Sequence, residues 1–221
     1  MANLFRDLSS APGASTNGTE RREEILRVAR DLFYSKGYEA ASMRDIAQQI
    51  GFTQAAIYYH FRSKEEILVA LIDNFTAQLH AMLKRLLQET GDLLQDFERA
   101  VHAHIMLSQS DYRDIKLVLE DKKLLAQPLA DRLGERELLI YELYKSRIKE
   151  LLNLNQCTSV TPTVAAFTTL GAINFVYQWY RPGGSLKLEA IADQTVTMLI
   201  RGLVPQVFDR DGARKKPSTH A

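Results

Sequence analysis

The chain has 221 residues, 46% of them hydrophobic and 25% charged, an ordinary globular composition long enough for a small domain plus a medium one. The formal net charge of +1 does not mark a nucleic-acid binder, so any basic surface has to be local. A single cysteine, Cys157, excludes an internal disulfide framework and a thiolate cluster, which fits a reducing cytoplasm; it reads as a small half-buried residue, not a catalytic thiol.

The first stretch is small, polar and rich in breakers from Ser9 to Gly18, so residues 1–18 read as a disordered leader. It lacks the apolar core of a signal peptide, and no apolar run approaches the ~20 residues that span a bilayer. The expectation is a soluble, cytoplasmic protein with no membrane partner. Helical periodicity begins after Thr19, with Ile25, Ala29, Leu32 and Phe33 on one stripe, and closes at Lys36-Gly37. A short helix starts at Ser42, where Ser42 and Asp45 form a capping-box-like pair, and stops at Gly51. Another runs from Thr53 or Gln54 to His60. Ser63 and Glu66 form a second box that opens a long helix carrying Ile67, Leu71, Phe75, Leu79, Met82 and Leu86, ended by Gly91.

Beyond Gly91 the spacing predicts one helix over Asp92–Ser108 and a second over Asp111–Leu125. A third starts near Pro128 and carries Leu138, Tyr141 and Ile148. Thr161-Pro162 opens a fourth, which runs to Tyr180 and is stopped by Pro182-Gly183-Gly184. The last spans Leu186–Val204, before a polar tail over residues 208–221. No alternating segment bounded by hairpin turns occurs, so the fold class is all-α.

The stretch Met43–Phe61, MRDIAQQIGFTQAAIYYHF, carries the function. Ala47 falls where two helices cross closely, and Gly51 falls at the turn, where positive φ is needed. Ile46, Ile50, Ile57 and Phe61 complete a miniature core. This is a helix-turn-helix pattern, whose second helix presents its N-terminal residues to the major groove. The preceding capped helix, the aromatic run Tyr58-Tyr59-His60-Phe61, Lys64 and the long helix that follows agree with it. Over Arg22–Leu71 the sequence resembles the TetR family of bacterial repressors, in its Ile-Ala, Gly, Ile-Tyr-x-His-Phe and Lys pattern. The resemblance implies a homodimer that binds palindromic operator DNA, with a ligand cavity in the C-terminal domain. The domains expected are the helix-turn-helix domain at 19–66 and a ligand-binding and dimerisation domain at 67–207.

The family's DNA contacts carry over to Arg44, to Thr53, Gln54 and Ala55 at the start of the recognition helix, to Tyr58, Tyr59 and His60, and to Lys64 on phosphate. The chemistry suits these roles: Gln pairs bidentately with adenine and Arg with guanine, while Tyr, Thr and Lys hold the backbone. Against this, Glu20–Asp73 holds eight basic and nine acidic residues, so binding depends on Arg21, Arg22, Arg44, Arg62 and Lys64 collecting on one face.

The last two helices read as half of a four-helix dimer bundle, with Phe167 and Gly171 on one and Ile191, Thr195, Met198, Leu199 and Gly202 on the other. The connector Trp179–Leu186 resembles the corresponding turn in family members that respond to acyl-CoA thioesters in fatty-acid or steroid degradation. That likeness implies a small-molecule effector, an apolar acid or acyl-CoA, in an apolar tunnel. Its candidate lining is Phe75, Leu79, Val101, Ile105, Tyr141, Tyr144, Phe167 and Phe175, with Asn174 and Gln178 as inward polar groups. Arg113, Lys116, Lys122, Lys123 and Arg132 are candidate phosphate partners, or a solvated face. A multidrug-type regulator sensing apolar or cationic aromatic compounds is the alternative. Neither a nucleophile–base pair nor a metal cluster is recognisable, and His102 and His104, two apart, lack the spacing that binds zinc. The expectation is therefore no enzyme, no cofactor and no metal.

Overall fold

A computed structural model describes residues 16–205. Among them are nine α-helices, one 3-10 turn and no strand, in agreement with the all-α expectation. Of the expected leader only Thr16–Gly18 falls within the described residues, as the start of a helix; the expected tail lies outside them. No described helix is long and apolar enough to cross a membrane, and no described group of three or more His, Cys, Asp or Glu is placed to hold a metal ion. The chain divides into two compact units.

The first unit contains α1 (Thr16–Lys36), α2 (Met43–Ile50), α3 (Gln54–His60) and α4 (Lys64–Leu86) as far as Leu79. It also takes in α6 (Tyr112–Leu119), the 3-10 turn Asp121–Leu124 and the start of α7 (Gln127–Leu154). Its core is Ile25, Ala29 and Phe33 of α1, Ile46 of α2, Ile57 of α3, Phe61, and Ile67 and Leu68 of α4, all buried. The helix expected over Asp111–Leu125 is broken: α6 ends at Leu119, and the 3-10 turn keeps Asp121 buried and Leu124 exposed. Helix α6 docks on α1 through charge and rings. Arg30 donates to Asp114 at 3.2 Å, Arg113 pairs with Asp31, and Tyr34 meets Tyr112 edge-on at 5.9 Å.

The second unit is built from the end of α4, α5 (Leu93–Ser110), the rest of α7, α8 (Pro162–Trp179) and α9 (Leu188–Leu203). Asp92 opens α5 by accepting from the N–H groups of Leu94 and Gln95 at 2.9 and 3.0 Å, as an N-cap should. Thr161 caps α8 with Pro162 behind it, as expected. On α7 the buried stripe is Ile140, Tyr144, Ile148 and Leu151, whereas Leu138, expected on it, is exposed. Two residues of offset put Leu138 roughly opposite Ile140, since successive helical residues turn by about 100°. In the core, His104 Nδ1 and Tyr144 Oη share a hydrogen bond of 3.1 Å, and their rings stack.

Two buried groups, one in each unit, titrate with opposite sign. Burial raises Asp114 to about 6, although Arg30 pulls it down; burial lowers His104 to about 4. Stability linked to Asp114 is present at low pH and lost as pH rises through its folded value. Stability linked to neutral His104 is present above its unfolded value and lost as pH falls toward its folded one. Between pH 6.5 and about 4, Asp114→Asn should therefore steepen the acid loss of stability, and His104→Leu should lessen it. Urea unfolding across that window reads both slopes, and wild-type slopes in the variants would contradict the burial of these groups.

Candidate nucleic-acid interface

The turn between α2 and α3 is specified residue by residue. Ser42 caps α2, its hydroxyl accepting from Asp45 N–H while the Asp45 carboxylate accepts from Ser42 N–H at 2.9 Å. Lys36 donates to the same carboxylate at 2.8 Å, and this bond chiefly holds Asp45 at about 2, below the usual carboxylate range. Gly51 closes the helix at φ 80°, and it and Phe52 both donate to Ala47 C=O, at 3.0 and 2.9 Å. A Cβ on Gly51 would meet nothing within 4 Å, so glycine is needed here for its backbone and not for space. Thr53 caps α3, accepting from Ala56 N–H at 3.2 Å.

Only Ile57 of α3 is buried. Gln54, Ala55, Tyr58 and Tyr59 are exposed, Tyr59 to 86%, and Thr53 at the cap is exposed too. A large aromatic left this bare at the end of a short helix buries little within the chain. His60 is half-buried, with Tyr59 edge-on to its ring at 5.1 Å. Arg44 is exposed at the second residue of α2. Helix α1 begins at Thr16, four residues earlier than expected. Gly18 and Arg21 line an open cleft with Phe52, Thr53, Tyr59 and His60. Arg21 lies 6.0 Å from the Phe52 ring and Arg22 4.7 Å from that of Phe61. Arg21 thus stands beside the exposed end of α3.

Lys64 is placed otherwise than the sequence suggested. Its ammonium donates to the carbonyls of Tyr38, Ala41 and Glu39 at 2.7, 2.9 and 3.1 Å. An ammonium has three N–H donors, so none remains for the phosphate expected of it. The Ser63 box is also altered: Ser63 accepts from Glu66 N–H, but the Glu66 carboxylate accepts from Arg62 N–H, at 2.7 Å. A first-residue lysine needs negative partial charge close by, and that was the signal available in the sequence.

The candidate effector residues fall in both units. Phe75 and Leu79 belong to the first unit and the remainder to the second. Val101, Ile105 and Tyr144 are core, and Tyr141 and Asn174 are half-buried. Phe167, Phe175 and Gln178 are exposed, which corrects their reading as interior lining. Helix α8 is apolar all round, so periodicity could not separate its inner face from its outer one. Phe167 stacks on Tyr141 at 4.7 Å. Of the candidate phosphate partners, Arg113 is paired with Asp31 and Lys122 with Glu137, Lys116 offsets part of the burial that raises the Asp121 carboxyl, and Lys123 is exposed; the Arg132 side chain lies outside the described residues. Of the expected dimer seam, Phe167, Gly171, Met198 and Gly202 are exposed and Thr195 and Leu199 half-buried, while Ile191 packs inside its own unit.

A capped helix, a glycine turn and a second short helix with a bare outer face make a helix-turn-helix. Residues 25–71 match the model for bacterial regulatory proteins of the tetR family, and residues 90–203 match that for the tetracyclin repressor-like C-terminal domain. The chain belongs to the TetR family of bacterial regulatory proteins. It is 30% identical to a TetR/AcrR-family regulator from Thermobifida fusca, with a TM-score of 0.70 over 83% of this chain and 98% of that one. The transcriptional repressor KstR2 of Rhodococcus jostii is 26% identical over 89% of this chain and 98% of its own. AibR, crystallised with isovaleryl coenzyme A and operator DNA, is 26% identical with a TM-score of 0.73, over 80% of this chain and 97% of that one.

Proposed function

We propose that this protein is a transcriptional repressor that binds a palindromic operator as a homodimer and is controlled by an apolar acid or its CoA thioester. The observation that carries the reading is the bare outer face of α3, with Tyr59 86% exposed on an open cleft that Arg21 also lines. Thr53, Gln54 and Ala55 are proposed to meet base edges, Arg44 a phosphate or base edge, and Tyr58, Tyr59 and His60 phosphates and thymine methyls. The exposed seam of Phe167, Gly171, Met198 and Gly202 is proposed as the dimer contact. Residues 19–66 and 67–207 are proposed as the DNA-binding and effector-binding parts. Support for the effector class comes from AibR with its bound isovaleryl coenzyme A, and support for repression from KstR2.

Gel-shift titration with the DNA flanking its own gene tests the reading. Tyr59→Ala should weaken binding to every sequence, and Gln54→Ala should change base preference at one position, where a bidentate pair is worth about 1–3 kcal/mol. Normal binding by Tyr59→Ala would remove the assignment of α3. The effector is tested by thermal shift over a series of acyl-CoAs. Each buried methylene contributes about 0.8 kcal/mol, so the shift should climb with chain length until the cavity is filled. A response confined to planar cationic compounds would support a multidrug-type regulator instead.

A further inference from the structure

A lysine at the first residue of a helix faces the positive end of the helix dipole, an unfavourable place unless negative partial charge lies close by. Lys64, which opens α4, finds that charge inside the chain. Its Nζ is 2.7 Å from Tyr38 O, 2.9 Å from Ala41 O and 3.1 Å from Glu39 O, and lies 4.4 Å from the centre of the Tyr38 ring. These carbonyls belong to the turn that follows α1, outside the main-chain bonding of either helix. Ala41 directly precedes Ser42, the cap of α2. On the other side, the Arg62 N–H bond to the Glu66 carboxylate, at 2.7 Å, ties the first turn of α4 to the end of α3. One ammonium thus joins the exit of α1, the entry to α2 and the start of α4.

We propose that Lys64 is a positioning residue for operator binding: bound to three main-chain carbonyls, it fixes the angle at which α3 is presented and touches no phosphate itself. The proposal rests on the operator-binding reading above. Phosphate contact and positioning differ in one observable. A residue that neutralises a phosphate contributes about 0.9 to the slope of log affinity against log salt, whereas a residue that only orients the helix contributes none.

The test uses the full chain and the duplex flanking its own gene, with binding followed by fluorescence anisotropy over a salt series. Affinity is referred to the folded fraction measured by circular dichroism. Lys64→Met should lower that affinity about tenfold or more, the scale of a lost charged hydrogen bond, at the wild-type salt slope. Lys64→Gln keeps two N–H donors without the charge and should retain more affinity than Lys64→Met; it also serves if Lys64→Met does not fold. A slope that falls by about one unit in either variant assigns a phosphate contact and overturns the proposal. Unchanged affinity per folded molecule makes the role one of stability alone and overturns it equally. If the wild-type chain does not bind the duplex, the operator reading itself fails, whatever the variants do.

Discussion

Gly171→Glu is expected to leave each protomer folded and to abolish the dimer, lowering operator affinity a hundredfold or more. Gly171 is exposed on α8, and a Cβ there would meet nothing within 4 Å, so a longer side chain has room in the single protomer. In a paired seam the same carboxylate is buried without a partner, and two-fold symmetry places it there twice. An unpaired buried charge costs several kcal/mol, and each 1.4 kcal/mol is about tenfold in affinity. Phe167 at 61% and Met198 at 74% exposed are the residues it would be forced against. Light scattering with size exclusion reads the mass of both forms. A wild-type chain that is monomeric at micromolar concentration would remove the seam from the account.

Phe61→Ala is expected to unfold the helix-turn-helix. Phe61 is 1% exposed, follows α3 directly and lies under Arg22. Truncating a buried Phe typically costs about 3–5 kcal/mol, a large part of the 5–15 kcal/mol that holds a domain folded. Two positions earlier in the chain, Tyr59→Ala should change stability by no more than about 0.5 kcal/mol, because an exposed ring loses little. Both variants should bind operator poorly, but only Phe61→Ala should show an early transition in denaturant. A Phe61→Ala chain with wild-type stability would mean that the miniature core is not the one described.

The helix-turn-helix was legible because local chemistry fixes it. Ser42, Gly51 and Thr53 act through bonds to residues at most five away, and their spacing is written in the chain. The carbonyl partners of Lys64 were not legible because they lie 23 to 26 residues away, across a turn that only the fold closes. The ion pairs between α1 and α6 span more than 80 residues and have no local signature. In the second unit, α8 is apolar on its inner and outer faces alike, so Phe167 and Phe175 could be read as lining when they lie outside. Ile191 shows the converse, an apolar residue assigned to the seam that its own unit buries. The break at Glu120 went unseen because DKKL continues a helical pattern, and neither proline nor glycine marks it.

The most direct test of the central claim is the affinity of the purified chain for the palindromic duplex flanking its own gene, against a scrambled duplex of equal length, at physiological salt. The account predicts saturable binding by a dimer that is at least about a thousandfold tighter for the palindrome, the lower end of specific over non-specific recognition. Equal, weak binding to both duplexes, vanishing together as salt rises, would contradict it.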